Sequence, residues 1–148
     1  MTRESLFIAT FEPLFATAMG WPPTRAGFEG RRPIATGDLP GYSIELGETQ
    51  FTAFDISGFP IRGRQQFALR FFWAHPQNAV ASRLAARSDY VGQIEAFFSG
   101  GYAPPGPDPA NPDTIDAIGI QYIDPPSYHK LDTRSVITVR AFYDFTIN

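Results

Sequence analysis

A ten-residue segment in the middle of the chain alternates so regularly that it constrains the fold more than any other feature. Between Arg64 and Trp73, apolar residues occupy every second position and would share one face: Phe67, Leu69, Phe71 and Trp73. The residues between them would point the other way: Gln66, Ala68, Arg70 and Phe72. Because successive side chains of a strand point to opposite faces, this period of two predicts a strand with one face in the core.

A helix is predicted at the start of the chain, from Arg3 to about Ala18, with Thr2 as its N-cap. Its apolar residues recur at helical spacing: Leu6, Phe7, Phe11, Leu14, Phe15 and Ala18. Pro13 lies inside this segment, so we expect either a kink or a second short helix that begins at Pro13.

A second helix is predicted after the alternating strand. Asn78 is placed to cap it, and Gly100-Gly101 are placed to end it. Its apolar residues fall on one stripe, which we expect to face the core: Val80, Leu84, Val91, Ile94 and Phe98.

Further strands are predicted on both sides of the second helix. Tyr42–Leu46 alternates before Gly47-Glu48, which we interpret as a turn, and Phe51–Phe59 forms a poorer strand or hairpin arm with its own turn at Ser57–Pro60. Thr114–Ile123 and Val136–Phe145 complete the set. This order predicts an α+β fold: an antiparallel or mixed sheet of four to five strands with two helices packed on one face.

Two proline- and glycine-rich segments interrupt these elements. The chain from Gly20 to Gly41 is predicted to be mostly extended and irregular. Between Ser99 and Asp113 there are five prolines, which predict a stiff loop that projects from the body: Pro104, Pro105, Pro107, Pro109 and Pro112. With 148 residues, of which 43% are hydrophobic, we expect residues 1–148 to form one domain.

The composition excludes several kinds of site. The chain has no cysteine, so disulfides, zinc-thiolate sites and iron–sulfur centres are excluded. Its two histidines, His75 and His129, lack the spacing of a local metal motif. A net charge of −3 does not suit a protein whose main work is to bind nucleic acid. We therefore expect no metal, no cofactor and no specific DNA binding.

Membrane and export signals are also missing from the sequence. No apolar run approaches the roughly 20 residues that cross a bilayer. The first residues, Met1–Ser5, lack the basic region and cleavage site of a signal peptide. We expect a soluble protein that is not exported and has no membrane partner.

No catalytic residue emerges from the motifs. Neither GxxxxGK[ST] nor a GxGxxG between strand and helix is present, and Ser127-Tyr128-His129 lacks a GxSxG elbow. His75 is placed to cap backbone groups at a strand-to-helix corner, and as a general base it has no partner that the sequence reveals. The acid pairs Asp113/Asp116 and Asp108/Asp113 lack the pattern of a calcium loop. We expect a non-enzymatic protein.

Candidate interface residues lie at two places. Arg62-Gly63-Arg64 stands at the start of the alternating strand, just after Phe59, and is open to three interpretations: solvated charge, an ion-pair site between subunits, or a phosphate-binding nest. Tyr102, Pro104 and Pro105 lie in the proline-rich loop, which we interpret as a spacer or docking arm in preference to an SH3-type ligand. These residues are the candidate contacts with other subunits or with a partner protein.

The order of these segments resembles that of the tail terminator proteins of long-tailed bacteriophages. The resemblance covers most of residues 1–148, but Trp21–Thr36 and Tyr102–Asp113 depart from it. It rests on these segments in this order: the helix Ser5–Ala18, the proline-containing strand Leu39–Leu46, the hairpin Ser57–Gly63, the long strand with its aromatic and proline end Phe67–Pro76, the helix end Phe97–Gly101 and the last strand Val136–Phe145.

The resemblance implies a structural protein of the virion. Such a protein forms a homohexameric ring on the last ring of tail tube subunits, stops tube polymerisation and presents a docking surface to a head-completion or stopper protein. Such a ring is assembled in the host cytoplasm and lies at the head-proximal end of the finished tail. The resemblance implies no catalytic residue. Six copies of net charge −3 carry −18 together, which suggests an acidic lumen through which DNA passes without specific binding.

Two other functions stay open at this point. A neck or baseplate adaptor of the same fold would differ only in its partners. A small-molecule-binding α+β domain would use aromatic side chains to line a pocket: Trp21, Phe71, Trp73 and Tyr143.

Overall fold

The structure is a computed structural model that describes residues 2–20, 28–29, 40–103, 113–126 and 133–148. Its elements in chain order are the helix α1 (Arg3–Ala18), the strands β1 (Phe28–Glu29), β2 (Gly41–Phe54) and β3 (Pro60–Ala74), the helix α2 (Val80–Ala96) and the strands β4 (Thr114–Ile123) and β5 (Arg134–Thr146). A π-helical turn, Phe97–Gly101, continues α2.

The strands form one sheet in the order β1-β2-β3-β5-β4. The four long strands are antiparallel to their neighbours, and the two residues of β1 pair in parallel with β2. β3 and β5 lie at the centre and pair without interruption from Arg62–Thr146 to Ala74–Arg134. The predicted α+β fold with a sheet of four to five strands is confirmed.

The two faces of the sheet differ in the way that the alternating pattern predicts. The face toward the helices is buried and apolar: Phe67, Leu69, Phe71 and Trp73 of β3 lie beside Ile137, Val139, Ala141, Tyr143 and Phe145 of β5. The other face, which we call the open face, carries the charged side chains Glu45, Arg64, Arg70, Arg140 and Asp144, all of them partly exposed. Along both central strands, successive residues therefore alternate between the core and the surface.

Helix α1 covers the buried face with a row of phenylalanines. Phe7, Phe11 and Phe15 are completely buried, and the ring of Phe7 stacks on that of Tyr143 with 4.3 Å between centroids. Aromatic pairs of this kind stabilise a core beyond the area they bury. The Thr2 side chain accepts a hydrogen bond from the backbone N–H of Ser5, so the predicted N-cap is confirmed. The helix runs through Pro13 as one element.

Helix α2 packs on the same face, and the predicted stripe holds for its second half only. Ile94 is completely buried, and Val91 and the following Phe98 pack against the core. In the first half the prediction is wrong: Val80 and Leu84 are 45% and 47% exposed, and Arg83 lies buried between them. Asn78 is not the N-cap: it adopts a left-handed conformation (φ 60°), and Ala79 precedes the first turn without a side-chain cap.

Strand β2 is longer than predicted. Gly47-Glu48, interpreted as a turn, is an irregularity in the pairing with β3, and the strand continues to Phe54. The buried amide of Gln65 explains the difference. Its Nε2 donates a hydrogen bond of 2.8 Å to the Gly47 carbonyl oxygen, and this bond gives the carbonyl a partner where the strand pairing is irregular. The turn predicted at Ser57–Pro60 is confirmed, since β2 and β3 join there.

Most of the two proline-rich segments lies outside the described residues. This holds for 21–27, 30–39 and 104–112, the last being the centre of the loop that we expect to project. At the ends of that loop, Tyr102 packs in the core and Asp113 forms an ion pair with Arg3 at 3.1 Å. The ion pair joins the start of α1 to the start of β4.

Candidate assembly surface

The end of the β2–β3 hairpin, residues 51–61, carries the largest set of exposed apolar side chains in the described part of the chain. We call it the hairpin tip. Five large apolar residues are exposed there to different degrees: Phe51 (45%), Phe54 (56%), Ile56 (108%), Phe59 (68%) and Ile61 (36%). Exposed apolar groups in such a cluster mark an interaction site more often than isolated ones do.

The hairpin tip is held in one shape by Asp55. Its Oδ1 accepts hydrogen bonds from the backbone N–H groups of Ser57 at 2.8 Å and Phe59 at 3.0 Å. The carbonyl oxygen of Asp55 accepts from the N–H of Gly58, whose φ of 85° suits glycine. Ile56 and Phe59 are therefore presented on a preorganised turn, which lowers the entropy that an interface must overcome.

The size of the hairpin tip can be compared with that of known interfaces. Its exposed apolar side chains amount to roughly 500 Å², given that an aromatic side chain buries about 150–250 Å². The largest apolar patch on a typical monomer is about 300–600 Å², and a stable interface buries about 800 Å² per partner. The hairpin tip is thus large enough to be the apolar centre of an interface but not the whole of one.

The predicted Arg62-Gly63-Arg64 site lies at the base of the hairpin tip. Arg64 donates two hydrogen bonds to the Asp144 carboxylate, at 2.7 and 3.0 Å, and its guanidinium lies 3.7 Å from the centre of the Phe142 ring. This hydrogen bonding raises the pKa of Arg64. Because Arg64 is already paired within its own chain, Arg62, which is exposed, is the better candidate for contact with a neighbour.

Next to this pair, the open face forms an open depression of about 660 Å³. Polar side chains from four strands line it: Gln50, Thr52, Arg62, Arg64, Asp116, Asp144 and Thr146. Thr146 donates a hydrogen bond of 2.7 Å to Asp116, and Asp144 accepts the hydrogen bonds of Arg64. Both carboxylates that line the depression are therefore bound by side chains of the same protein.

Two further ion pairs lie on the open face. Arg70 pairs with Glu45, and this hydrogen bond lowers the pKa of the Glu45 carboxyl. Arg140 pairs with Asp124 at 3.1 Å, which raises the pKa of Arg140. Burying this face against an apolar partner would remove these charges from water at a substantial cost.

Of the remaining predicted interface residues, Tyr102 lies in the core. It is 9% exposed, packs against Phe7 and Phe97, and its hydroxyl forms a hydrogen bond with Thr10 Oγ1 at 3.2 Å. Its ring fills the space between α1 and the π-helical turn, and so it is not available to a partner. Pro104 and Pro105 lie outside the described residues.

His75 has a partner that the sequence did not reveal. Its Nε2 lies 2.6 Å from Ser135 Oγ, and its Nδ1 lies 3.0 Å from the carbonyl oxygen of Pro76. Arg83 also donates to Ser135 Oγ, at 3.4 Å, and Ser135 is 6% exposed. This group joins the end of β3, the start of β5 and the first turns of α2, which is the corner role predicted for His75. Ser127-Tyr128-His129 lies outside the described residues.

The acid pairs and the aromatic residues considered above are also placed by the structure. Asp113 and Asp116 bind Arg3 and Thr146 respectively, and no group of three metal-ligating side chains occurs among the described residues. Phe71, Trp73 and Tyr143 are buried in the core below α1 and α2. Trp21 and Asp108 lie outside the described residues.

A second apolar surface lies on the outer side of α2. In its first two turns, four exposed residues form one side: Val80, Ala81, Leu84 and Ala85. A surface helix normally turns polar residues to solvent. We call this surface the α2 outer face.

Sequence reasoning found Phe59 and Arg62 of this region but missed the other apolar residues of the hairpin tip. Phe51, Phe54, Ile56 and Ile61 follow neither a period of two nor a helical period, so a periodicity search could not select them. Their density around a turn motif was the available signal.

No family model and no curated protein matches the chain. None of the described helices has the length and hydropathy needed to cross a membrane.

Proposed function

We propose that this chain is a structural virion protein of the tail terminator type. Six copies close into a ring on the end of the tail tube, stop tube polymerisation and offer a docking surface to the head-completion or stopper protein. The observation that carries the proposal is the hairpin tip, a group of five exposed large apolar side chains around a turn that Asp55 holds in one shape. The order of elements in the fold agrees with the resemblance and adds support.

The physical argument concerns what a ring requires of each subunit. In a head-to-tail ring, every subunit uses two different surfaces, one for each neighbour. A preorganised apolar projection supplies one of them without any catalytic cleft. The chain therefore acts by assembly, with no cofactor and no bond made or broken.

The lumen of such a ring has to let DNA pass. A net charge of −3 per chain gives the ring an acidic balance, which disfavours binding of phosphates. The ring then sits at the head-proximal end of the tail as a passage for DNA and not as a DNA-binding site.

The test is tube assembly with the tail tube protein encoded in the same genome. Full-length chain should limit tube length and prevent regrowth at the capped end. The double variant Ile56→Ser/Phe59→Ser should leave tubes unlimited, because it removes the two most exposed side chains of the hairpin tip. Val136→Ser, which changes a 45% exposed residue far from the tip, is the matched control and should cap normally.

The same assay separates the main alternative. A neck or baseplate adaptor would leave tube length unchanged and bind a different ring of the particle. Uncapped tubes in the presence of full-length chain at saturating concentration would contradict the terminator function.

A further inference from the structure

The two exposed apolar surfaces lie near opposite ends of β3. The hairpin tip is at the start of β3, while the α2 outer face follows its end at Ala74. Arg83, between Val80 and Leu84, contacts Ser135, which pairs with Trp73 near that end of β3. At about 3.3 Å per residue, the length of β3 separates the two surfaces by roughly 50 Å.

This placement favours contact between the two surfaces of different copies. Surfaces that lie at opposite ends cannot meet within one chain, but they can meet head to tail between successive copies. Association of two hairpin tips would instead make a closed dimer and leave both α2 outer faces exposed. The open face is a poorer partner, because the tip would have to desolvate the Glu45–Arg70 and Asp124–Arg140 ion pairs.

We propose that the hairpin tip of one copy packs on the α2 outer face of the next copy. Ile56 and Phe59 lie against Val80 and Leu84, with the small side chains of Ala81 and Ala85 allowing close approach. The tip contributes roughly 500 of the ~800 Å² that one partner buries in a stable interface, so polar residues around it complete the contact. This inference rests on the proposed function and names the surfaces that build its ring.

Cysteine cross-linking tests the contact cleanly, because the chain has no cysteine of its own. Ser57→Cys places a thiol beside the tip side chains, and Ala85→Cys places one beside Leu84, while Ile56, Phe59, Val80 and Leu84 stay unchanged. The two single variants of the full chain are mixed at high concentration and oxidised mildly. Ala9→Cys, which replaces an exposed alanine on α1, takes the place of Ala85→Cys in the control mixture.

The expected result is a disulfide between Ser57→Cys and Ala85→Cys chains, formed about tenfold faster than in the control mixture, because docking raises the effective concentration of the thiols. Equal rates in the two mixtures would overturn the inference. A chain that carries both cysteines should give a ladder of covalent oligomers that ends at a closed ring.

The outcomes distinguish this inference from the proposed function. Rings on tube ends that lack the disulfide between positions 57 and 85 would refute the contact and keep the terminator function. A disulfide ladder that grows without closing, together with uncapped tubes, would keep the contact and refute the function. Leu84→Ser should weaken oligomer formation as strongly as Ile56→Ser, whereas Val136→Ser should not.

Discussion

At Gly63 the backbone of the hairpin and the Phe145 ring of β5 approach each other closely. A Cβ at this position would overlap the Phe145 ring and lie 2.7 Å from the carbonyl oxygen of Gln50. We expect Gly63→Ala to lower the free energy of unfolding by about 1–3 kcal/mol, because backbone or ring must move. Urea unfolding measures this, with Gly92→Ala as the control. Gly92 lies in α2 with no atom near its Cβ position, so Gly92→Ala should stabilise by about 0.5–1 kcal/mol. A Gly63→Ala protein as stable as the original would contradict the packing described.

Tyr143 links the core to the stability of the protein at high pH. Burial raises the pKa of Tyr143 from 10.0 to about 12. Above pH 10 the unfolded chain loses this proton while the folded chain keeps it. The stabilising contribution is therefore complete below pH 10 and is lost as the pH rises toward 12.

We expect Tyr143→Phe to reduce the loss of unfolding free energy between pH 9 and pH 12 by roughly 2–3 kcal/mol. Urea unfolding at several pH values gives the slope, whatever stability the variant has at neutral pH. Tyr122→Phe removes a hydroxyl from a ring that is 58% exposed and serves as the control. If the free energy of unfolding falls equally between pH 9 and pH 12 in Tyr143→Phe and in the original protein, burial of this hydroxyl does not cause the loss of stability at high pH.

Among the elements, the hairpin depends on its turn for a defined tip. Asp55→Ala removes the acceptor for the N–H groups of Ser57 and Phe59. We expect faster amide hydrogen exchange at residues 57–59, with a change in global stability of no more than about 1 kcal/mol, because the turn is exposed. Ser57→Ala keeps both hydrogen bonds and should keep the original exchange rates. Unchanged protection in Asp55→Ala would mean that the turn is held by other contacts.

The elements with a strong local pattern were predictable from the sequence. Strands β3 and β5 are central with one buried face, so their period of two is clear, and α1 begins and ends where its cap and spacing predict. The errors have a common physical origin in contacts between residues distant in sequence. Gly47-Glu48 becomes an irregularity within a strand because Gln65 reaches it from β3.

The inward side of the first half of α2 could not be predicted for the same reason. Local periodicity selects Val80 and Leu84 for the core, because both are apolar and four residues apart. In the structure Arg83 lies on the inward side instead and reaches Ser135 on β5, 52 residues away. Val80 and Leu84 are thereby left on the α2 outer face. Likewise, the partner of His75 lies 60 residues along the chain.

For the whole molecule, the distribution of surface character suggests a subunit that joins its neighbours end to end. The open face carries three ion pairs, whereas the hairpin tip and the α2 outer face, near opposite ends of β3, are apolar. Two different apolar surfaces that lie apart favour head-to-tail association, and whether it closes into a ring depends on the rotation between successive copies.

The most direct test of this account is cryo-electron microscopy of tail tubes assembled with the full-length chain. The account predicts a six-membered ring at one end of each tube, with Ile56 and Phe59 of every copy against the first turns of α2 in the next. Tubes that carry no additional density at either end, at a chain concentration that saturates any binding, would contradict it.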